Sequence, residues 1–342
     1  MADEGQLGKL KRSVAGWNRW REENPDIKID LSRADLKESF LAGANLSGAD
    51  LSFADFGHSN LTNSSLEDAN LYNAGFSAAN LTFATLDGAT GAFVNFSKTN
   101  LSAASLLSVH FEDSTFNEAV LDNSNLKGAF LGHSTFKEAR LIGAHLNGVN
   151  LIGANLEQSN TSSVTFDQKV LWGVVKESLR QPSKLWERRY DVLYDTTVRC
   201  EGVNVATTYG SQRFKLFAQD QAFLEEYVHT RFGKPIFFLW WLFADCGRSL
   251  LRWATWSIVL ALLFATAFYF LGPEAIHLDR LEFSFLNLCY FSLVTFTTLG
   301  FGDIVPATTA ATIWVMLEVV FGYTMLGGLI TIFASKLARR GG

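Results

Sequence analysis

The chain has 342 residues, of which 48% are hydrophobic and 18% charged, against about 25% charged in soluble domains. So much apolar mass excludes a mainly disordered chain, and a net charge of −5 gives no overall attraction to nucleic acid. Cys200, Cys246 and Cys289 stand apart and offer neither a disulfide framework nor a CxxC metal pair.

Residues 1–28 read as an N-terminal cap segment. Met1 to Trp20 is charged and lacks the apolar run of a signal peptide, so none is expected. From Leu31 to Phe166 every fifth residue is apolar: 28 positions hold 19 Leu and 7 Phe, and only Gly91 and Thr161 break the run. Two residues before each stands a small side chain, as at Ala34, Ser39 and Ala44, and the residue between is often Asp or Asn, as at Asp35, Asn45 and Asp50. A period of five fits neither the helix nor the strand repeat. Phe56, Phe76, Phe96, Phe116 and Phe136 recur every 20 residues, so one coil takes four pentapeptides and like rings stack on one face; Phe111 and Phe166 fall off that ladder. The run makes about seven coils, a rod about 34 Å long at the strand spacing of about 4.8 Å.

This run resembles the pentapeptide-repeat family, with its A-[DN]-L-x-x pattern, over about residues 29–168. The resemblance implies a right-handed, four-sided β-helix with the role of a scaffold; some members of that family mimic DNA. Ile29 to Phe166 carries 6 basic and 14 acidic residues. An acidic solvated face accounts for that balance, and no nucleic-acid partner is expected. His58, His110, His133 and His145 fall at outward positions without metal-ligand spacing.

After Phe166 the period is lost, and residues 169–233 read as a helical connector. Gln168–Leu179 and Lys184–Tyr194 have apolar residues at helical spacing, with Pro182 between them, and Gly202–Gly210 has the composition of turn and loop. Ser211 can cap a helix through Phe232 with Phe214, Phe217, Leu224 and Val228 on one stripe. No nucleophile beside a His, phosphate loop or metal spacing is present, so neither enzyme activity nor a cofactor is expected.

Residues 234–252 read as an interfacial helix. Ile236–Phe243 is apolar and Trp-rich but is followed by Asp245, Arg248 and Arg252, and is too short for a hydrocarbon core of about 30 Å. Residues 253–342 read as a two-transmembrane pore domain. Ala254–Leu271 is an uncharged span, and Ala310–Leu337 is interrupted only by Glu318 and Lys336. Arg231, Lys234, Arg248 and Arg252 precede the first span and Lys336, Arg339 and Arg340 follow the second, whereas the loop between holds Arg280 alone. That asymmetry puts both termini in the cytoplasm, with Pro273–Phe283 outside, in a multi-pass cell-membrane protein.

Between the spans, Phe283–Thr297 is an apolar helix too short to cross, and it runs into Thr298, Leu299, Gly300, Phe301, Gly302 and Asp303. Extended backbone at membrane depth is tolerated where it lines a water-filled path, and successive carbonyls aimed at one axis can replace a cation's hydration shell. Gly300 and Gly302 permit the alternating backbone this needs.

The segment resembles the TVGYGD selectivity filter of two-transmembrane potassium channels, over about residues 250–340. The resemblance implies K⁺ as the permeant ion, bound by the carbonyls of Thr298, Leu299, Gly300 and Phe301 and by the Thr298 hydroxyl. It makes Asp303 the aspartate behind the filter and Tyr290, thirteen residues earlier, its hydrogen-bonding brace where the family often has Trp. Gly322 matches the hinge glycine of the inner helix. Leu299 and Phe301 depart from Val and Tyr of the pattern, and no Arg-repeat voltage-sensing helix precedes the segment. Glu318, a carboxylate in a membrane helix, either binds cations in the pore or braces the pore helix from behind; the brace is preferred. One loop per chain implies a homotetramer in the lipid bilayer, its β-helices free to meet a cytoplasmic partner or ligand, with the connector passing their motion to the pore. A non-selective cation pore and a membrane-anchored scaffold remain as alternatives.

Overall fold

The computed structural model describes residues 2–166, 198–228, 230, 232–244, 249–278, 281–297, 299–300 and 302–338. In the repeat, the Asp or Asn that precedes many of the core residues starts a turn. The side chains of Asp30, Asp50 and Asn100 each accept the backbone N–H two residues on at 3.0 Å, the local bond these residues make most readily. Two residues after the core position the chain takes positive φ, 61° at Arg33 and 68° at Gly88, and turns a corner. Residues 20 apart then pair through single parallel bridges, from Asp30↔Asp50 to His145↔Thr165. The core residue donates to the next coil, as Leu36 N does to Asp55 O at 2.8 Å.

The small residue also points inward. Ala44 and Ala49 are fully buried, and Ser64 and Ser124 satisfy their hydroxyls on the carbonyls of Leu61 and Leu121, each at 2.7 Å. The five ladder Phe rings stack at centroid distances of 4.8, 5.0, 4.9 and 4.7 Å. That spacing is the backbone's own repeat, so the rings gain contact without leaving register. Phe111, off the ladder, packs tilted on Phe96 at 5.4 Å. At Gly91 the chain lies close against the backbone of the preceding coil: a Cβ there would lie 2.7 Å from the Leu71 carbonyl carbon. His58, His110, His133 and His145 are all exposed.

A first coil leaves its backbone edge unpaired, which is a liability unless covered. Two helices, α1 (Glu4–Arg12) and α2 (Val14–Glu23), cover it. Gln6 exchanges both amide groups with the chain, Nε2 donating to Lys28 O at 3.1 Å and Oε1 accepting from Asp30 N at 2.9 Å. Trp17 is fully buried and donates its indole N–H to Asn45 O at 2.8 Å.

At the other end the structure departs from the expected connector. The stretch around Gly202 joins the ladder: Asn150↔Arg199, Asn155↔Asn204 and Asn160↔Tyr209 are parallel bridges. Cys200 and Val205 are buried there, in line with Leu151 and Leu156 of the coil before. Partners are now 49 residues apart, so the phase of five is broken and the continuation is hidden from periodicity. The expected helices Gln168–Leu179 and Lys184–Tyr194 lie outside the described residues. Helix α3 (Gln212–Val228) is capped by Ser211, whose Oγ accepts from Phe214 N at 3.2 Å, and it ends at Val228 rather than at Phe232. Its buried face carries Phe214, Phe217, Leu224 and Glu225. Glu225 Oε2 accepts the N–H groups of Cys200 at 3.0 Å and Glu201 at 2.6 Å, and Oε1 accepts Gln221 Nε2 at 3.2 Å. Burial pushes this carboxyl up to about 7, against the pull of Gln221, the two N–H groups and Arg199.

A second compact unit begins at Pro235. Its helices are α4 (Gly233–Ala244), α5 (Leu250–Leu271), α6 (Phe285–Phe296) and α7 (Thr309–Ala338). Between them β1 (Ile276–Leu278) pairs antiparallel with β2 (Ile304–Pro306), Ile276 opposite Pro306. Leu250–Leu271 and Thr309–Ala334 are each long and apolar enough to cross a membrane, whereas α6 is not. Phe264, Phe268, Leu288, Phe291, Ile276 and Ile304 form one cluster that holds both strands and α6 against α5.

Candidate ion-conducting site

Helix α6 is short because its polar end is built in: Ser284 caps its start, its Oγ accepting from Asn287 N at 3.3 Å, and Thr297 ends it. The negative end of the helix dipole therefore leads straight into residues 298–302, a favourable setting for a cation. Leu299 N donates to Val294 O at 2.9 Å, which turns the chain back against the helix end. Gly300 and Gly302 have φ of +48° and +77°. Both sit in a region that side chains disfavour, and neither has a neighbour where a Cβ would point. Thr298 and Phe301 lie outside the described residues, as do Arg231, Asp245, Cys246, Arg248, Arg280, Arg339 and Arg340.

Tyr290 of α6 and Asp303, expected from the sequence to form a brace, come to one site. Both line a cleft of about 650 Å³, with Leu281, Asn287 and apolar side chains of α5 and α6, among them Ile258, Leu262 and Leu286, as its other walls.

Glu318, on α7, is fully buried. Ser292 Oγ, on α6, contacts Glu318 Oε1 and lies 2.6 Å from the Ala261 carbonyl of α5, so one hydroxyl joins three helices. Glu318 Oε2 has no partner among the described residues. Gly322 lies within the unbroken run of α7, where a Cβ would collide with the Phe296 carbonyl. There the inner helix touches the end of α6 backbone to backbone. Ser292 belongs to no motif; its signal in the sequence is a hydroxyl amid a twelve-residue apolar helix.

Residues 236–339 match the family model described as ion channel, and residues 29–160 match pentapeptide repeats in eight copies. The chain joins pentapeptide repeats to an ion-channel domain. With two helices long and apolar enough to cross a bilayer, this repeat-bearing channel chain is a membrane protein, and neither matched family is enzymatic. Among solved structures the chain is similar to a trypsin-treated form of QnrB1, a plasmid-mediated fluoroquinolone resistance protein, at 21% identity, covering 41% of this chain and 75% of that one, with a TM-score of 0.31. It is also similar to HetL, a pentapeptide repeat protein involved in heterocyst differentiation regulation from the cyanobacterium Nostoc sp., at 18% identity, over 56% of this chain and 91% of that one, with a TM-score of 0.23. A pentapeptide repeat protein of the Arabidopsis thaliana thylakoid lumen is 22% identical over 54% of this chain and 92% of its own, with a TM-score of 0.18. No curated protein sequence matches.

Proposed function

We propose that this channel chain conducts K⁺ in preference to Na⁺ through a homotetrameric pore. The observation that carries the reading is the pair of positive-φ glycines, Gly300 and Gly302, between the end of α6 and Asp303, which lines one cleft with Tyr290. In this reading the carbonyls of Thr298, Leu299, Gly300 and Phe301 face the axis, and the Thr298 hydroxyl adds the innermost ring. Four chains are needed because one chain supplies one loop. Glu318 braces α6 through Ser292, and Gly322 sets the approach of α7. Both termini face the cytoplasm, as the basic flanks argue, in a cell-membrane protein. The repeat is a right-handed, four-sided solenoid of about seven coils, with the role of a scaffold or regulator for a cytoplasmic partner.

Purified protein in liposomes tests this reading. The expected result is K⁺ flux above that of empty vesicles and faster than Na⁺ flux, abolished by Gly300→Val or Gly302→Val. Equal K⁺ and Na⁺ flux would make it a non-selective cation pore. No flux would leave the membrane-anchored scaffold.

A further inference from the structure

Helix α4 leaves the carbonyls of its last turn without helical partners, as every helix end does. Two side chains of α5 take them: Arg252 Nη1 donates to Trp241 O and Trp256 Nε1 to Leu242 O, both at 3.0 Å. The Arg252 guanidinium also lies over the Trp241 ring at 5.4 Å, and Phe243 meets Trp256 edge-on at 5.1 Å. The end of α4 and the start of α5 therefore form a fixed pair. Trp253, beside Arg252, makes a different contact, its Nε1 donating to Met325 O of α7 at 2.6 Å. The indole fills the space above Gly328: a Cβ there would collide with its six-membered ring. Only glycine admits the ring at that position. Gly327, next to it, has nothing within 4 Å of its Cβ direction.

Helix α7 is thus held at two glycines facing different partners. Gly322 is closed against the backbone of Phe296, next to the proposed filter, and Gly328 against Trp253 of α5. We propose that Trp253 is a latch, a positioning residue that ties the half of α7 beyond Gly322 to α5 and, through Arg252 and Trp256, to α4. Movement of α4 then reaches α7 at Met325–Gly328, and α7 absorbs it between the two held glycines. This rests on the channel reading for its consequence, which is control of opening; the latch itself is a contact within one chain.

The test uses the full-length protein in bilayers, with a spin label on Phe333→Cys, an exposed position of α7. Trp253→Phe removes the indole N–H, and Gly328→Ala puts a methyl group where the ring sits. Each is expected to change open probability by about fivefold, the factor for a hydrogen bond worth ~1 kcal/mol, and to shift the label-to-label distance. Unitary conductance and the K⁺/Na⁺ ratio stay as in the parent. The double variant goes no further than either single one, because both break the same contact. Gly327→Ala leaves open probability near the parent value. Unchanged open probability and label distance in Trp253→Phe and Gly328→Ala would overturn the latch. So would Gly327→Ala acting as strongly as Gly328→Ala, since stiffness of α7 would then be the cause. If the parent protein conducts nothing, the channel reading falls, and the label distances alone decide the latch.

Discussion

Ser292 and Glu318 meet in the apolar interior of the channel domain, one on the short helix α6 and the other on the long helix α7. The serine has one proton for two acceptors, the Glu318 carboxyl and the Ala261 carbonyl, so the three helices are joined by a single shared group. A buried polar group that loses its partner costs about 1–3 kcal/mol, whereas removing both partners together is close to neutral. Ser292→Ala should therefore lower the melting temperature of the purified protein more than Glu318→Gln does. The double variant Ser292→Ala with Glu318→Leu should recover much of the loss. A double variant less stable than Ser292→Ala alone would show that the pair is not the unit that matters.

Tyr290 and Asp303 line one cleft, and a hydrogen bond between them would give the proposed filter its rear support. Tyr290→Phe keeps the ring and removes the donor. Reversal potentials under bi-ionic conditions should move toward equal K⁺ and Na⁺ permeability, while Tyr290→Trp, which restores an N–H donor, should stay near the parent value.

Gly91 interrupts a run of Leu and Phe, and a design by pattern would restore Leu there. The space is already taken by the backbone of Leu71 and Tyr72, with a Cβ at 2.7 and 2.9 Å from their carbonyl carbon and amide nitrogen. Overpacking costs about 1–3 kcal/mol. Gly91→Ala and Gly91→Leu should both shift chemical unfolding of the solenoid to lower denaturant, although Gly→Ala ordinarily stabilises by restricting the unfolded chain.

Glu225 sits at the seam between α3 and the last coil, and its carboxyl is raised from an ordinary 4.5 to about 7, chiefly by burial. Between those two values the folded state holds a proton that the unfolded state has released, so stability falls as pH rises. The favourable contribution is complete below about pH 4.5 and lost as pH passes about 7. Amide exchange in residues 212–228 should quicken from pH 5 to pH 8 beyond the intrinsic pH effect, and Glu225→Gln should remove that excess.

Periodicity alone carried the solenoid from Leu31 to Phe166, because each pentapeptide repeats the same local turn and, from Asp30↔Asp50 to His145↔Thr165, pairs with the residue 20 positions on. The two membrane spans were equally legible, since hydrocarbon selects for length and apolarity in one continuous stretch. So was the positive φ of Gly300 and Gly302, where backbone freedom has to be written into the residues themselves. What the tertiary structure decided are contacts between residues with no fixed spacing. Arg199, Asn204 and Tyr209 rejoin the ladder across an insertion that resets its phase. Ser292 finds Glu318, and Gly322 and Gly328 serve as seats for Phe296 and Trp253 rather than only as points of flexibility. Such pairs depend on which helix faces meet and how closely, and local pattern specifies the faces but not their meeting.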